Sequence, residues 1–141
     1  APGGKLSVWV ARHDRPEGGA RPWANTRTRV PGLSPEGKVE VLTPDFNGDE
    51  AALNNVLRAR PDVLNHNTET IARLYRRVRP DAVYSQSMEL LSRAAHWRDT
   101  VQPAMKTKSG IMAGPGETFE EVVGLMRDLR KSSCAVMTIV Q

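Results

Sequence analysis

The chain has 141 residues, 39% hydrophobic and 26% charged, which places it in the range of one globular domain and outside the disordered, collagen-like and disulfide-rich classes. It is long enough to bury a core without a disulfide or metal staple, but a complete eight-fold α/β barrel needs about 250 residues, so any barrel built here is partial. The net charge of +4 is mildly basic, compatible with anionic metabolites or nucleic acid and silent on fold.

In chain order, Leu6-Ser7-Val8-Trp9-Val10 reads as a first strand. Residues 12–37 carry Pro16, Pro22, Pro31 and Pro35 with Gly18, Gly19, Gly32 and Gly37, a density that breaks helices and central strands and predicts loop. Regular alternation starts at Lys38. Val39-Glu40-Val41-Leu42 is a second strand, and Asp49 caps a helix carrying Leu53, Val56 and Leu57. Asp62-Val63-Leu64 is a third strand. Asn67 or Thr68 then caps a helix with Ile71, Leu74, Tyr75 and Val78 on one face, and Ser85 opens another with Met88, Leu91 and Ala95 spaced for burial. Ser109-Gly110-Ile111-Met112 is a fourth strand. Thr118-Phe119-Glu120-Glu121 is a capping box, followed by an apolar stripe of Phe119, Val122, Val123, Met126 and Leu129. Ala135-Val136-Met137-Thr138-Ile139-Val140 is the fifth strand. The strands are short and mostly apolar on both sides, as buried parallel strands are, and their alternation with helices predicts an α/β parallel sheet of about five strands. The chain divides into residues 1–37, a first strand plus a Pro/Gly-rich loop, and residues 38–141.

Parallel α/β architectures bind ligands outside the carboxyl ends of their strands, so the candidate residues are those that follow each strand. They are Arg12-His13-Asp14, Pro44-Asp45-Phe46, Asn65-His66-Asn67 with Glu69 just inside the next helix, and Gly114-Pro115-Gly116-Glu117. The Asn-His-Asn run offers directional donors and acceptors but few metal ligands. It supports two readings equally, a site for a polar ligand or an Asn N-cap beside a satisfied histidine. His13, His66 and Asp45 lack metal-ligand spacing. Gly114 and Gly116 let a ligand approach the backbone, and the helix start behind them offers free amides. Arg73, Arg76 and Arg77 share a helix face that reads as a solvated surface with carboxylate partners. An RNA-binding face would need interleaved aromatics, and Tyr75 alone is close.

Cys134 is the sole cysteine, so no internal disulfide and no all-cysteine metal or iron–sulfur site can be built from this sequence. With no run of about 18 apolar residues and no signal-peptide core, the expectation is a soluble, cytoplasmic protein in a reducing compartment. The first residue is Ala, and a fragment or processed chain is the expectation.

Four segments together carry a family resemblance: Val41-Leu42-Thr43-Pro44-Asp45-Phe46-Asn47-Gly48, Pro61-Asp62-Val63-Leu64-Asn65-His66-Asn67-Thr68-Glu69-Thr70, Arg73-Leu74-Tyr75-Arg76-Arg77-Val78-Arg79-Pro80 and Lys106-Thr107-Lys108-Ser109-Gly110-Ile111-Met112. With Gly116-Glu117-Thr118 and Met126-Arg127-Asp128-Leu129-Arg130, the sequence resembles lipoyl synthase from about residue 36 to residue 141. Residues 6–20 match more loosely, with Ala11 and His13 where the family usually has Asp, and residues 21–35 fit poorly.

The resemblance implies a partial (β/α) barrel of the radical S-adenosylmethionine type, TIM-like and incomplete. It implies an enzyme that inserts sulfur into an octanoyl chain on an acceptor protein, of the lipoyl domain or H protein type, to give the lipoyl cofactor. It also implies S-adenosylmethionine and two 4Fe-4S clusters as cofactors, with no nucleic acid or membrane partner. The family's cluster-binding cysteines are missing here, so a chain reduced to this length is expected to be inactive alone. By resemblance, Asn65, Asn67 and Glu69 face the ribose and methionine parts of S-adenosylmethionine, Arg76 lies near its carboxylate, and Gly114, Gly116 and Glu117 line its adenine side. Pro115 and Val140 depart from the family pattern at this rim. The alternative is a non-catalytic α/β module that binds a nucleotide-like ligand or a partner subunit, and an Arg-rich RNA-binding domain ranks last.

Overall fold

The structure, a computed structural model, describes the backbone of Leu6–Trp9 and all of residues 38–141. The expected Pro/Gly-rich loop and the Arg12-His13-Asp14 candidates lie outside the described residues. In chain order the elements are β1 (Leu6–Trp9), β2 (Val39–Leu42), α1 (Glu50–Arg58), β3 (Val63–Asn65), α2 (Tyr75–Val78), α3 (Tyr84–Val101), β4 (Lys106–Met112), α4 (Phe119–Lys131) and β5 (Val136–Val140). Short 3-10 turns at Phe46–Gly48 and Ala72–Leu74 precede α1 and α2. Every pairing is parallel, in the sheet order β1-β2-β3-β4-β5, so the sheet is open and all strands end at the same rim. No helix among the described residues is long and apolar enough to cross a membrane.

The helices cover one face of the sheet. Val39, Val41 and Leu64 pack with Leu53, Val56 and Leu57 of α1 and with Leu90 and Ala94 of α3. Ile111 of β4 packs with Leu91, Leu125, Leu129, Ile71 and Leu74. Leu57, Leu64 and Leu91 are essentially inaccessible, and burying such a side chain contributes about 1.5–3 kcal/mol.

Because neighbouring residues of a strand point to opposite faces, Glu40, Asn65, Lys106, Lys108 and Gly110 fall on the face away from the helices. The expectation of strands mostly apolar on both sides is therefore corrected: this second face sets Glu40, Asn65, Lys106 and Lys108 among Leu42, Val63 and Met112. The last strand departs too, since Val136, Ile139 and Val140 are exposed.

Two helix starts are as expected. Asp49 Oδ1 accepts from the Ala51 and Ala52 amides at 2.8 and 3.2 Å. Thr118 and Glu121 form the reciprocal capping box of α4. Two are not. Asn67 and Thr68 cap nothing, because no helix starts between Asn67 and Ile71: the Glu69 amide donates to the Gly110 carbonyl and the Met112 amide to the Glu69 carbonyl, both at 3.0 Å. A sheet-like bridge to β4 outcompetes a helix here, and only the turn at Ala72–Leu74 and the four-residue α2 follow. Ser85 does not open α3 either. That helix starts at Tyr84 with Val83 at the cap position and no side-chain cap. In α4, Leu125 and Leu129 are buried, whereas Phe119 is 78% exposed and Met126 42%. The apolar stripe is thus narrower than its sequence pattern, because the sheet reaches only its Leu125 side.

Candidate functional site

The site is built at the carboxyl ends of β2, β3 and β4. Continuing β3 in extended form sends Asn65 and Asn67 to the helix-free face and His66, between them, to the helix face. His66 is 1% exposed and belongs to a buried chain of hydrogen bonds. Its Nδ1 donates to the Thr43 carbonyl at 2.9 Å, since a carbonyl can only accept. Its Nε2 therefore accepts from Ser87 Oγ at 2.8 Å. Arg79 donates to Tyr75 Oη at 2.9 Å, Tyr75 donates to Ser87 Oγ at 2.8 Å, and the direction runs from a guanidinium that only donates to a carbonyl that only accepts. Burial pushes the imidazole down to about 4, so it is neutral. Of the two readings of the Asn-His-Asn run, His66 itself follows the satisfied-histidine one; neither asparagine is an N-cap.

On the helix-free face Asn65 is 6% exposed. Its Nδ2 donates to Glu40 Oε1 at 3.1 Å, while its Oδ1 is buried with no hydrogen-bond partner among the described residues. Asn67 lies over Gly110: a Cβ built there would stand 2.9 Å from Asn67 Oδ1. Gly110 is thus the flat seat that lets the asparagine lie against the sheet. Glu69, half-buried, holds a left-handed backbone with φ of 62°, at the centre of a tight turn in which the Thr70 amide donates to the Thr68 carbonyl at 2.7 Å. Gly110→Ala is expected to displace the Asn67 side chain while leaving the fold intact. Its melting temperature, followed by thermal denaturation, should fall by only a few degrees.

Gly114, Gly116 and Glu117 follow Met112, the residue that bonds Glu69, so the glycine turn and the Asn65–Glu69 segment share one rim. Gly114 and Gly116 have φ of 118° and 114°, which is why glycine stands there. The free amides expected at this turn are partly taken. Glu117 folds back and accepts from the Gly114 amide, which holds its carboxyl below the usual range, and Thr118 accepts from the Glu121 amide. Arg76 lies exposed on α2.

Arg73, expected on a solvated face with a carboxylate partner, is exposed and grips both oxygens of Glu121; what sequence reasoning missed is its Nη2 bond to the Gly116 carbonyl at 2.9 Å, together with Glu40 and Lys108. The Gly116 bond ties the glycine turn to the Ala72–Leu74 turn, and the guanidinium holds the Glu121 carboxyl down at about 2. Glu40 and Lys108 meet at 2.8 Å beside Asn65. Strand alternation was the signal for both, had β3 and β4 been given their full lengths.

The arrangement suits a polar organic ligand that brings hydroxyl or amine donors to an acceptor-rich rim. S-adenosylmethionine, the cofactor that the resemblance implies, fits this donor set through Asn65 Oδ1, which needs a donor. An iron–sulfur cluster does not fit, since no group of three or more His, Cys, Asp or Glu among the described residues could hold a metal.

No family model matches the chain. It is similar to the lipoyl synthase of Chlorobium phaeovibrioides, 50% identical over 132 residues, which are 94% of this chain and 45% of that protein. It is also similar to those of Oleidesulfovibrio alaskensis, at 52% over 132 residues, and Caldanaerobacter subterraneus, at 49% over 135. The chain thus spans less than half the length of the curated relatives it matches. Among solved structures, the HMG-CoA lyase of Bacillus subtilis, a TIM-barrel-like lyase, shares the fold with a TM-score of 0.56 at 13% identity, covering 94% of this chain and 52% of that one. Over the 132–135 residues that it shares with these relatives, the chain matches part of a lipoyl synthase at 49–52% identity.

Proposed function

We propose that this chain forms the S-adenosylmethionine-holding part of a lipoyl synthase, a cytoplasmic sulfurtransferase that acts on an octanoylated acceptor protein of the lipoyl domain or H protein type. The observation that carries the reading is the alternation at the end of β3. It puts two asparagines, one with an unsatisfied buried acceptor, on the helix-free face of a sheet whose carboxyl rim also carries the glycine turn. Asn65 and Asn67, with Glu69 beside them, would bind and orient the ribose and methionine parts of the ligand, while Gly114, Gly116 and Glu117 line its adenine side and Arg76 lies near its carboxylate. Held by these residues, S-adenosylmethionine would supply hydrogen-abstracting radical chemistry. This chain's residues position and shield it, and the five strands form part of a (β/α) barrel.

With one cysteine in 141 residues, a cluster with several cysteine ligands cannot be assembled from this sequence, so the chain alone is expected to turn over no octanoyl substrate. Calorimetry tests the ligand reading. S-adenosylmethionine should bind with a Kd in the micromolar to millimolar range and Asn67→Ala should weaken it about tenfold. No heat at millimolar ligand would overturn the assignment.

A further inference from the structure

Asn65 occupies a pivotal place in that reading, and its usefulness depends on which way its amide faces. An amide can turn over, exchanging its acceptor for two donors with little change in shape. The orientation here is decided by a neighbour. Glu40 sits two residues before Leu42, the register partner of Asn65, on the same face of the sheet. Ionised, its carboxylate accepts only, so the Asn65 Nδ2 must face it, and the 3.1 Å contact is of that kind. Lys108, the register partner of Asn65 on the other side, donates to the same Glu40 oxygen at 2.8 Å. The lysine holds the carboxylate in place, and both ionic side chains are about a quarter exposed.

We infer that Glu40 and Lys108 are a positioning pair for Asn65: together they turn its amide so that the carbonyl oxygen faces away from Glu40, toward the carboxyl ends of the strands, as an acceptor for a ligand hydroxyl. A donor at that point would find no use in the polar groups of Glu40, whereas the buried Oδ1 lacks a partner until a ligand supplies one. Neither residue needs to touch the ligand. The inference rests on the proposed S-adenosylmethionine site for the identity of the ligand, but not for the orientation of the amide.

The test uses the chain in three forms: unaltered, Glu40→Ala and Glu40→Gln. The Asn65 side-chain amide is followed by two-dimensional ¹⁵N NMR, and S-adenosylmethionine affinity by calorimetry. Expected for Glu40→Ala are shifted Asn65 amide protons that exchange faster with solvent, and affinity lower by about tenfold. Glu40→Gln keeps an acceptor oxygen in the same place and should restore both. An unmoved amide signal in Glu40→Ala overturns the positioning role whatever the ligand does, and so does a freed amide with unchanged affinity. If the unaltered chain gives no binding heat while the amide is still released by Glu40→Ala, the ligand assignment fails and the orienting role of Glu40 stands.

Discussion

Between pH 7 and pH 4 the protein is expected to lose about 3 kcal/mol of folding stability through the single imidazole of His66, with about 2 kcal/mol already gone at pH 5. Unfolded, this histidine titrates at 6.5; folded, burial pushes it down to about 4. The unfolded chain therefore binds the extra proton throughout that window. The stabilisation is complete above pH 6.5 and disappears as the pH falls toward 4.

The hydrogen-bond chain helps explain why the imidazole resists protonation. A proton on Nε2 would turn Ser87 from donor to acceptor and its own hydrogen toward Tyr75. Tyr75 would then have to direct its hydrogen at Arg79, which has only donors to offer. Burial is the largest cause, and the positive field of Arg79 adds to it, while the Thr43 hydrogen bond and Asp45 oppose it. Urea denaturation at pH 7, 5 and 4 measures the effect against His66→Gln, which keeps hydrogen-bonding capacity without the titration. The unaltered chain should lose more stability than the variant on acidification, and parallel curves would refute the account.

Ser87→Ala is expected to cost about 2–4 kcal/mol at pH 7, because it strands two buried groups at once. The hydroxyl is the hub of the chain, accepting from Tyr75 Oη and donating to His66 Nε2, at 2.8 Å each. Ser87 is fully buried on α3, so water cannot replace it without opening the core. Tyr75→Phe removes a link whose loss leaves no group stranded: Arg79 keeps its bond to the Asn67 carbonyl at 3.0 Å, Ser87 keeps its bond to His66, and the cost should be about 1 kcal/mol. Denaturation midpoints of the two variants separate these values. A cost below about 0.5 kcal/mol for Ser87→Ala would mean the hydroxyl is not the hub.

Much of the fold was legible from local chemistry. The Asp49 cap and the Thr118–Glu121 box depend on residues within three positions of each other, and the β-branched runs at Val39–Leu42 and Val136–Val140 needed no distant partner to be recognised. The misread segments are those where local and distant preferences disagree. Asn67 and Thr68 are good cap residues, yet Gly110 and Met112 of β4 offer Glu69 a backbone pairing, and no helix starts there. Lys106-Thr107-Lys108 looks like a polar lead-in to a strand, but it is strand, because one face of the sheet is free of helices and tolerates lysines.

The site was legible to the same degree. Its residues were recognisable as the polar groups that follow each strand, and the family likeness rested on motifs that are contiguous in the chain. Composition, caps, strand runs and motif order are properties of short stretches, and short stretches suffice to specify them. Which face each side chain takes, and which charge meets which, depends on register between strands: Glu40 and Lys108 stand 68 positions apart, and His66 and Ser87 stand 21 apart. Pairing of β2, β3 and β4 brings the first two within reach, and packing of the sheet against α3 the second two, because burial raises the cost of every unpaired polar atom and so selects the pairing that satisfies most of them.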